Sequence, residues 1–183
     1  MPRNIEIKVR VADLEAVRRL CVRFGASAHT VEEQTDRYYT LDGDRRVKLR
    51  TIRGGRAELI EYRRAEATGV RASDYSVTAV RDAAAGRCAV PRGRPLVVVR
   101  KRREVWLWDN VRIHLDTVDG LGTFLELEAV IDARHDEAAC RAQVATVMEA
   151  LGLSQSELLR ASYADLVRQR AGGAVPDDPN RGS

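Results

Sequence analysis

The chain has 183 residues, with 31 Lys and Arg against 27 Asp and Glu, 44% hydrophobic residues and 32% charged ones. That is the length of one domain, with enough apolar residues to build a core without disulfides or structural metal. It excludes a largely disordered chain and, lacking any run of about 18 apolar residues, a helical membrane protein.

The net charge of +4 suits an anionic ligand but does not demand nucleic acid, because acids nearly match bases in number. Cys21, Cys88 and Cys140 are odd in number, far apart and without a C-x-x-C pair. They read as reduced thiols rather than a disulfide framework or zinc site. The N-terminus runs straight into a strand pattern with no apolar leader, so the expected location is the cytoplasm. Of the basic residues only Lys8, Lys48 and Lys101 are lysine. All three fall inside predicted strands.

In chain order, Ile5 to Val11 alternates Ile5, Ile7, Val9 and Val11 with Glu6, Lys8 and Arg10, the period of a strand. Asp13 is placed to cap a helix to about Phe24, striped by Leu14, Val17, Leu20, Cys21 and Phe24 and stopped by Gly25. Strands are expected over Gln34–Leu41, Val47–Ile52 and Ala57–Arg63. The first ends in a turn at Asp42-Gly43-Asp44, and the other two form a hairpin.

A loop over Ala65–Asp74 precedes a short strand, Tyr75–Val80. The Gly- and Pro-containing connection Asp82–Pro95 has no clear period and room for a short helix. Three strands follow, Leu96–Trp108, Val111–Thr117 and Gly122–Ile131, then helices over Asp136–Leu151 and Ser156–Arg168. The reading is one domain over residues 1–170 and a disordered tail over 171–183, rich in Gly, Pro and Asp.

The strands carry apolar residues on one side and charges on the other: Ile113 and Leu115 oppose Arg112, His114 and Asp116, and Leu125 and Leu127 oppose Glu126 and Glu128. Taken singly, each is an ordinary wet-faced strand. Taken together, eight antiparallel strands with few helices point to a sheet that closes on itself, its apolar side outward under the helices. The expected class is α+β. Charges of both signs inside such a bore need pairing, water or a guest, and the matching guest is a polyanion with divalent cations.

The motifs Asn4-Ile5-Glu6-Ile7-Lys8, Lys48-Leu49-Arg50, Tyr62-Arg63-Arg64, Lys101-Arg102-Arg103-Glu104, Arg112-Ile113-His114-Leu115-Asp116 and Phe124-Leu125-Glu126-Leu127-Glu128 follow one another in the order seen in CYTH proteins. The chain resembles that superfamily of class IV adenylate cyclases and thiamine triphosphatases from about Asn4 to Tyr163. One position departs: Asn4 stands where the family's E-x-E-x-K signature has its first acid.

The resemblance implies a closed eight-stranded antiparallel barrel, the triphosphate tunnel, with helices outside. It implies that Glu6, Glu126, Glu128 and, directly or through water, Asp116 hold Mg²⁺ or Mn²⁺. Lys8, Lys48, Arg50, Arg64, Lys101, Arg103 and Arg112 would bind the phosphate chain, with His114 touching phosphate or relaying a proton. Glu6, Lys8, Lys101 and Glu128 would be the catalytic set. Each residue also has an ordinary reading: the acids as partners for arginines, Asp116 as an ion-pair partner of Arg112, His114 as a structural hydrogen-bonding group, Arg64 as a surface charge.

The implied activity is metal-dependent hydrolysis of a triphosphate-bearing small molecule: inorganic triphosphate, thiamine triphosphate or a nucleoside triphosphate. The alternatives are a class IV cyclase making cAMP and pyrophosphate from ATP, or an enzyme acting on an organic diphosphate whose tail rests on Tyr38, Tyr39, Trp106 or Trp108. A non-catalytic polyphosphate- or nucleotide-binding module is a further one. Neither nucleic acid nor a membrane is an expected partner, and the chain is expected to be a monomer or homodimer. No P-loop or nucleophile motif occurs.

Overall fold

The computed structural model describes residues 3–42, 45–64 and 70–173. Eight strands, β1 (Arg3–Arg10), β2 (Ser27–Asp42), β3 (Arg45–Ile52), β4 (Ala57–Arg64), β5 (Arg71–Val80), β6 (Val97–Trp108), β7 (Val111–Val118) and β8 (Gly122–Val130), close into a barrel. Their order around it is β1-β5-β4-β3-β2-β6-β7-β8. Every neighbouring pair is antiparallel. Among the described residues the laces differ in length: β2 and β6 pair over eleven registered positions, from Ser27–Leu107 to Tyr38–Val97, whereas β1 meets β5 over four.

The alternation of each strand decides what lies outside. Ile5, Ile7, Val9, Ile113, Leu125 and Leu127 point outward and are buried under α1 (Leu14–Phe24) and α3 (Glu137–Ala150), with Val17, Cys21, Val144 and Val147 on the helix side. A large aliphatic side chain buried in this way contributes roughly 1.5–3 kcal/mol. The layer between barrel and helices is therefore the main core. Asp13 starts α1 by accepting from the amides of Glu15 and Ala16 at 2.8 and 3.1 Å, and Gly25 ends it at φ 87°.

The connection after β5 holds α2 (Ala83–Cys88), which covers Leu49 and Ala57 of the hairpin. Its Gly86 lies so close to Leu49 that an added Cβ would sit 2.3 Å from a leucine methyl.

Two sequence expectations are corrected. β2 begins at Ser27, seven residues before the predicted start. The expected helix over Ser156–Arg168 is instead a single 3₁₀ turn at Gln155–Glu157, a stretch that crosses β1, and α4 (Tyr163–Gly173). The crossing stretch is held by a bridge between Val9 and Leu158 and by the Leu159 amide on the Lys8 carbonyl at 2.8 Å. These bonds take the backbone groups a continuous helix would use.

β5 also starts earlier than expected, at Arg71. The turn at residues 43–44, the loop over 65–69 and the tail over 174–183 lie outside the described residues, as does the side chain of Arg64. No helix among the described residues is long and apolar enough to cross a membrane.

Candidate active site in the barrel bore

The inward faces enclose a cavity of about 750 Å³. One end is stopped by α4: Tyr163 packs edge-on against Phe124 at 5.0 Å between centroids, in a cluster with Tyr38, Val97, Val99, Val118 and Ala164. Above this plug the walls are charged. Glu6, Lys8, Lys48, Arg50, Lys101, Arg103, Arg112, His114, Glu126 and Glu128 line the cavity, bringing together residues from β1, β3, β6, β7 and β8.

Two buried aspartates organise the basic groups. Asp36 accepts from Lys48 Nζ at 2.6 Å and from Arg50 Nε and Nη2 at 2.8 and 3.0 Å. Burial alone would raise its carboxyl, but Arg50 and Lys48 hold it well below the usual carboxylate range. Asp116, fully buried, accepts from Arg103 Nε and Nη2 at 2.7 and 2.6 Å, from Lys101 Nζ at 3.3 Å and from Tyr163 Oη at 2.8 Å.

The oxygens of Asp116 accept from three residues, so in this structure it anchors the basic wall. Asp36 was not legible as a site residue. It sits in a strand that is polar on both faces, and only the register pairing it with Arg50 shows its role.

Burial and the neighbouring arginines act on the lysines. Lys48 is pushed down to about 8 by burial and then Arg50, and Lys101 to about 7 by burial and then Arg103, against the pull of Asp36 and Asp116. Lys8 lies 3.5 Å from Glu126 and 3.8 Å from the centre of the Tyr163 ring. Tyr163 therefore touches both the basic wall and Asp116. Arg112 is the most exposed of the expected phosphate-binding residues with described side chains, 3.9 Å from Glu128 at the rim.

The acidic pole is made by β7, β8 and β1. Ligand atoms of His114, Glu126 and Glu128 all lie within 4.8 Å of one another. Glu6 stands directly across the β1–β8 register from Glu128, as Lys8 does from Glu126. Glu126 is held well below its ordinary value by Lys8 and Arg103, despite burial. Glu128 is driven up to about 7 by burial and then by the Glu126 charge, with Glu6 adding to it.

His114, buried and beside Arg103, has its imidazole pushed well down and is neutral. Its Nδ1 and the Asn4 Oδ1 are buried without a hydrogen-bond partner among the described residues. Two crowded carboxylates, a neutral imidazole and a spare amide oxygen are donors a divalent cation would satisfy.

A model of the CYTH domain matches residues 2–163. The chain belongs to the CYTH family.

Among solved structures, the PH1012 protein of Pyrococcus horikoshii superposes with a TM-score of 0.76 at 25% identity, covering 89% of this chain and 98% of that one. A putative adenylate cyclase from Vibrio parahaemolyticus gives 0.71 at 19% identity, covering 90% and 97%. HpAC1 from Hippeastrum, described as a putative adenylyl cyclase with a dominant triphosphatase activity, gives 0.59 at 16% identity, covering 94% and 98%. In sequence, 68 residues are 32% identical to "Putative adenylate cyclase MJ0240" of Methanocaldococcus jannaschii. That match spans 37% of this chain and 39% of the relative.

Proposed function

We propose that this CYTH protein is a metal-dependent hydrolase of triphosphate-bearing small molecules. The observation that carries the reading is the two-poled bore. Lysines and arginines held by Asp36 and Asp116 face the same cavity as the His114–Glu126–Glu128 group. The Hippeastrum relative, described as dominantly a triphosphatase, supports it.

His114, Glu126 and Glu128, with Glu6 and Asn4 beside them, would hold Mg²⁺ or Mn²⁺. Bound there, the cation supplies Lewis-acid polarisation of phosphoryl oxygens and shields their charge. The chain's own residues do the rest. Lys48, Arg50, Lys101 and Arg103 bind the equatorial oxygens and neutralise charge that builds as the terminal phosphoryl group leaves. Their aspartate anchors fix them before substrate arrives, so little reorganisation is needed. The Tyr163 plug keeps bulk water from that end.

The second reading, cyclisation of ATP, is favoured by the names of the M. jannaschii and Vibrio relatives. It uses the same walls, with the substrate's own 3′-hydroxyl in place of water.

The test is a product assay on inorganic triphosphate, thiamine triphosphate and ATP with Mg²⁺, Mn²⁺ or EDTA. Orthophosphate released only with metal is the expected result. Pyrophosphate with cAMP would establish the cyclase. No turnover of any of them would leave a binding module.

A further inference from the structure

The outside of the barrel is not covered evenly. Around Thr35 on β2 the outer face carries no residue of the three apolar clusters. It holds instead a groove of about 350 Å³ lined by Thr35, Thr51, Arg53, Arg100, Arg102 and Thr117. Gln34 and Lys101 border both this groove and the bore, so the two cavities stand on opposite sides of one sheet.

The register fixes the pattern. Thr35 lies directly between Thr51 on β3 and Arg100 on β6. Two residues back along β2, Glu33 takes the Arg53 amide on its carbonyl at 2.9 Å and faces Arg102 on its other side. Two residues on, Arg37 donates Nη1 to Thr51 Oγ1 at 3.1 Å. Four arginines thus surround one threonine. Glu33 lies among them, and Asp119 stands beyond Arg100 with its amide on the Arg100 carbonyl at 3.0 Å.

These charges do not cancel. Glu33 is half exposed and 4.0 Å from Arg102, which also bonds Glu104. Among the described residues, neither Arg53 nor Arg100 has a carboxylate within ion-pairing distance. Guanidinium groups only donate, so the groove is rich in donors and short of acceptors. Their planar forks match the oxygen pairs of a phosphoryl group.

We infer that this groove is an oxyanion site on the outside of the barrel, separate from the bore, and that its ligand is a free diphosphate. Arg100 and Arg102 stand two residues apart on one strand, or about 7 Å. A diphosphate can therefore give each guanidinium a phosphoryl group of its own, with Arg53 closing the third side. Orthophosphate reaches fewer of them at once. The site does not rest on the triphosphate reading, because none of these side chains lines the bore.

The test is calorimetric titration of the full chain with inorganic pyrophosphate in EDTA, at about 0.15 M salt, where charges more than about 8 Å apart are screened. Glu33, Arg53 and Arg100 are exposed, so their variants are expected to fold as the parent does. One binding event should weaken about fivefold or more in Arg53→Gln and in Arg100→Gln. It should tighten roughly two- to fivefold in Glu33→Gln, which removes the acid from the set. Orthophosphate should bind the parent at least fivefold more weakly than pyrophosphate.

An isotherm that the arginine variants leave unchanged, or that Glu33→Gln weakens, overturns the outer site. So does the absence of any binding event at this salt. Equal affinity for pyrophosphate and orthophosphate overturns the diphosphate as its ligand. Turnover of triphosphates does not enter, so failure of the hydrolase reading would leave this site standing.

Discussion

The Tyr163 hydroxyl donates to Asp116 Oδ2 at 2.8 Å, joining the helix that stops the bore to the aspartate that anchors Lys101 and Arg103. A plug and a binding wall share one carboxylate. Tyr163→Phe removes that hydrogen bond but keeps the ring on Phe124 and beneath Lys8. The expected cost is about 1–2 kcal/mol of stability, as for a hydrogen bond to a charged group. Turnover should fall less than tenfold, because Arg103 still grips Asp116 through two bonds. Thermal unfolding and steady-state kinetics check this. A hundredfold loss of turnover at unchanged melting temperature would mean that the hydroxyl acts on substrate.

Asp36 is the counterpart on β2, two strands round the barrel from Asp116, and its loss leaves Lys48 and Arg50 buried without their carboxylate. Asp36→Asn is expected to cost on the order of 3 kcal/mol. A triphosphate offers those cations the negative charge they have lost. Added inorganic triphosphate should therefore raise the variant's melting temperature more than the parent's. An equal rise in both would show that the phosphate chain does not reach Lys48 and Arg50.

The two glutamates of β8 should separate. Both Glu126→Ala and Glu128→Ala are expected to abolish metal-dependent turnover. Their metal-free stabilities should move in opposite directions. Glu126 pairs with Lys8 at 3.5 Å and Arg103 at 3.1 Å, so its removal destabilises.

Glu128 is raised from 4.5 to about 7, so the folded state holds a proton between those pH values that the unfolded state has released. Stability from this group falls as pH rises from 4.5 to 7, and the penalty stays above 7. In EDTA, Glu128→Gln should thus be more stable than the parent at pH 8, by on the order of 1–3 kcal/mol, and no more stable at pH 4.5. Denaturant unfolding at the two pH values decides it.

Lys48 and Lys101 titrate near 8 and 7 rather than at the 10.5 of an exposed lysine. A lysine lowered this far loses its charge as pH rises through that window. Affinity for inorganic triphosphate in EDTA should therefore fall between pH 6.5 and 9. The double variant Lys48→Arg, Lys101→Arg keeps its charge and accounts for ionisation of the triphosphate itself. A parent-to-variant affinity ratio that stays flat over this range would contradict the assignment.

Asn4 Oδ1 is buried and unpartnered in the bore, near the acidic pole. Asn4→Glu adds an anionic oxygen there. It should tighten Mn²⁺ or Mg²⁺ binding about tenfold or more, read by calorimetry without substrate. A titration identical to the parent's would place residue 4 outside the cation site.

The barrel was legible because several strands, β1, β7 and β8 most clearly, separate apolar from charged residues at period two, as in Ile113 and Leu115 against Arg112, His114 and Asp116. β2 hides its first half for a physical reason. Glu32, Gln34 and Asp36 face the bore, while Glu33, Thr35 and Arg37 lie on the outer face, so neither side is apolar. The strand is held by its neighbours on both sides rather than by a core, and Asp36, though inside the predicted part, had no apolar face beside it to show that it points into the bore.

His114, read as a phosphate contact, a proton relay or a structural group, sits with Glu126 and Glu128. Its alternation gave the face, but grouping these residues needed the register between β7 and β8. Nothing in the sequence ties Tyr163 to Asp116, which meet only because Leu158 and Leu159 cross β1.

The uneven lacing of the barrel has a mechanical consequence. Among the described residues four registered positions join β1 to β5, against eleven between β2 and β6. Local opening is expected first at the joint with the fewest backbone pairs. That joint separates Glu6 on one side from Tyr75 on the other. Parting this seam would widen the bore, while Lys101, Arg103 and Asp116 lie across the cavity, on or beside the strand with the longest lace. The weak seam and the wall anchored by Asp116 stand on opposite sides of one ring of strands.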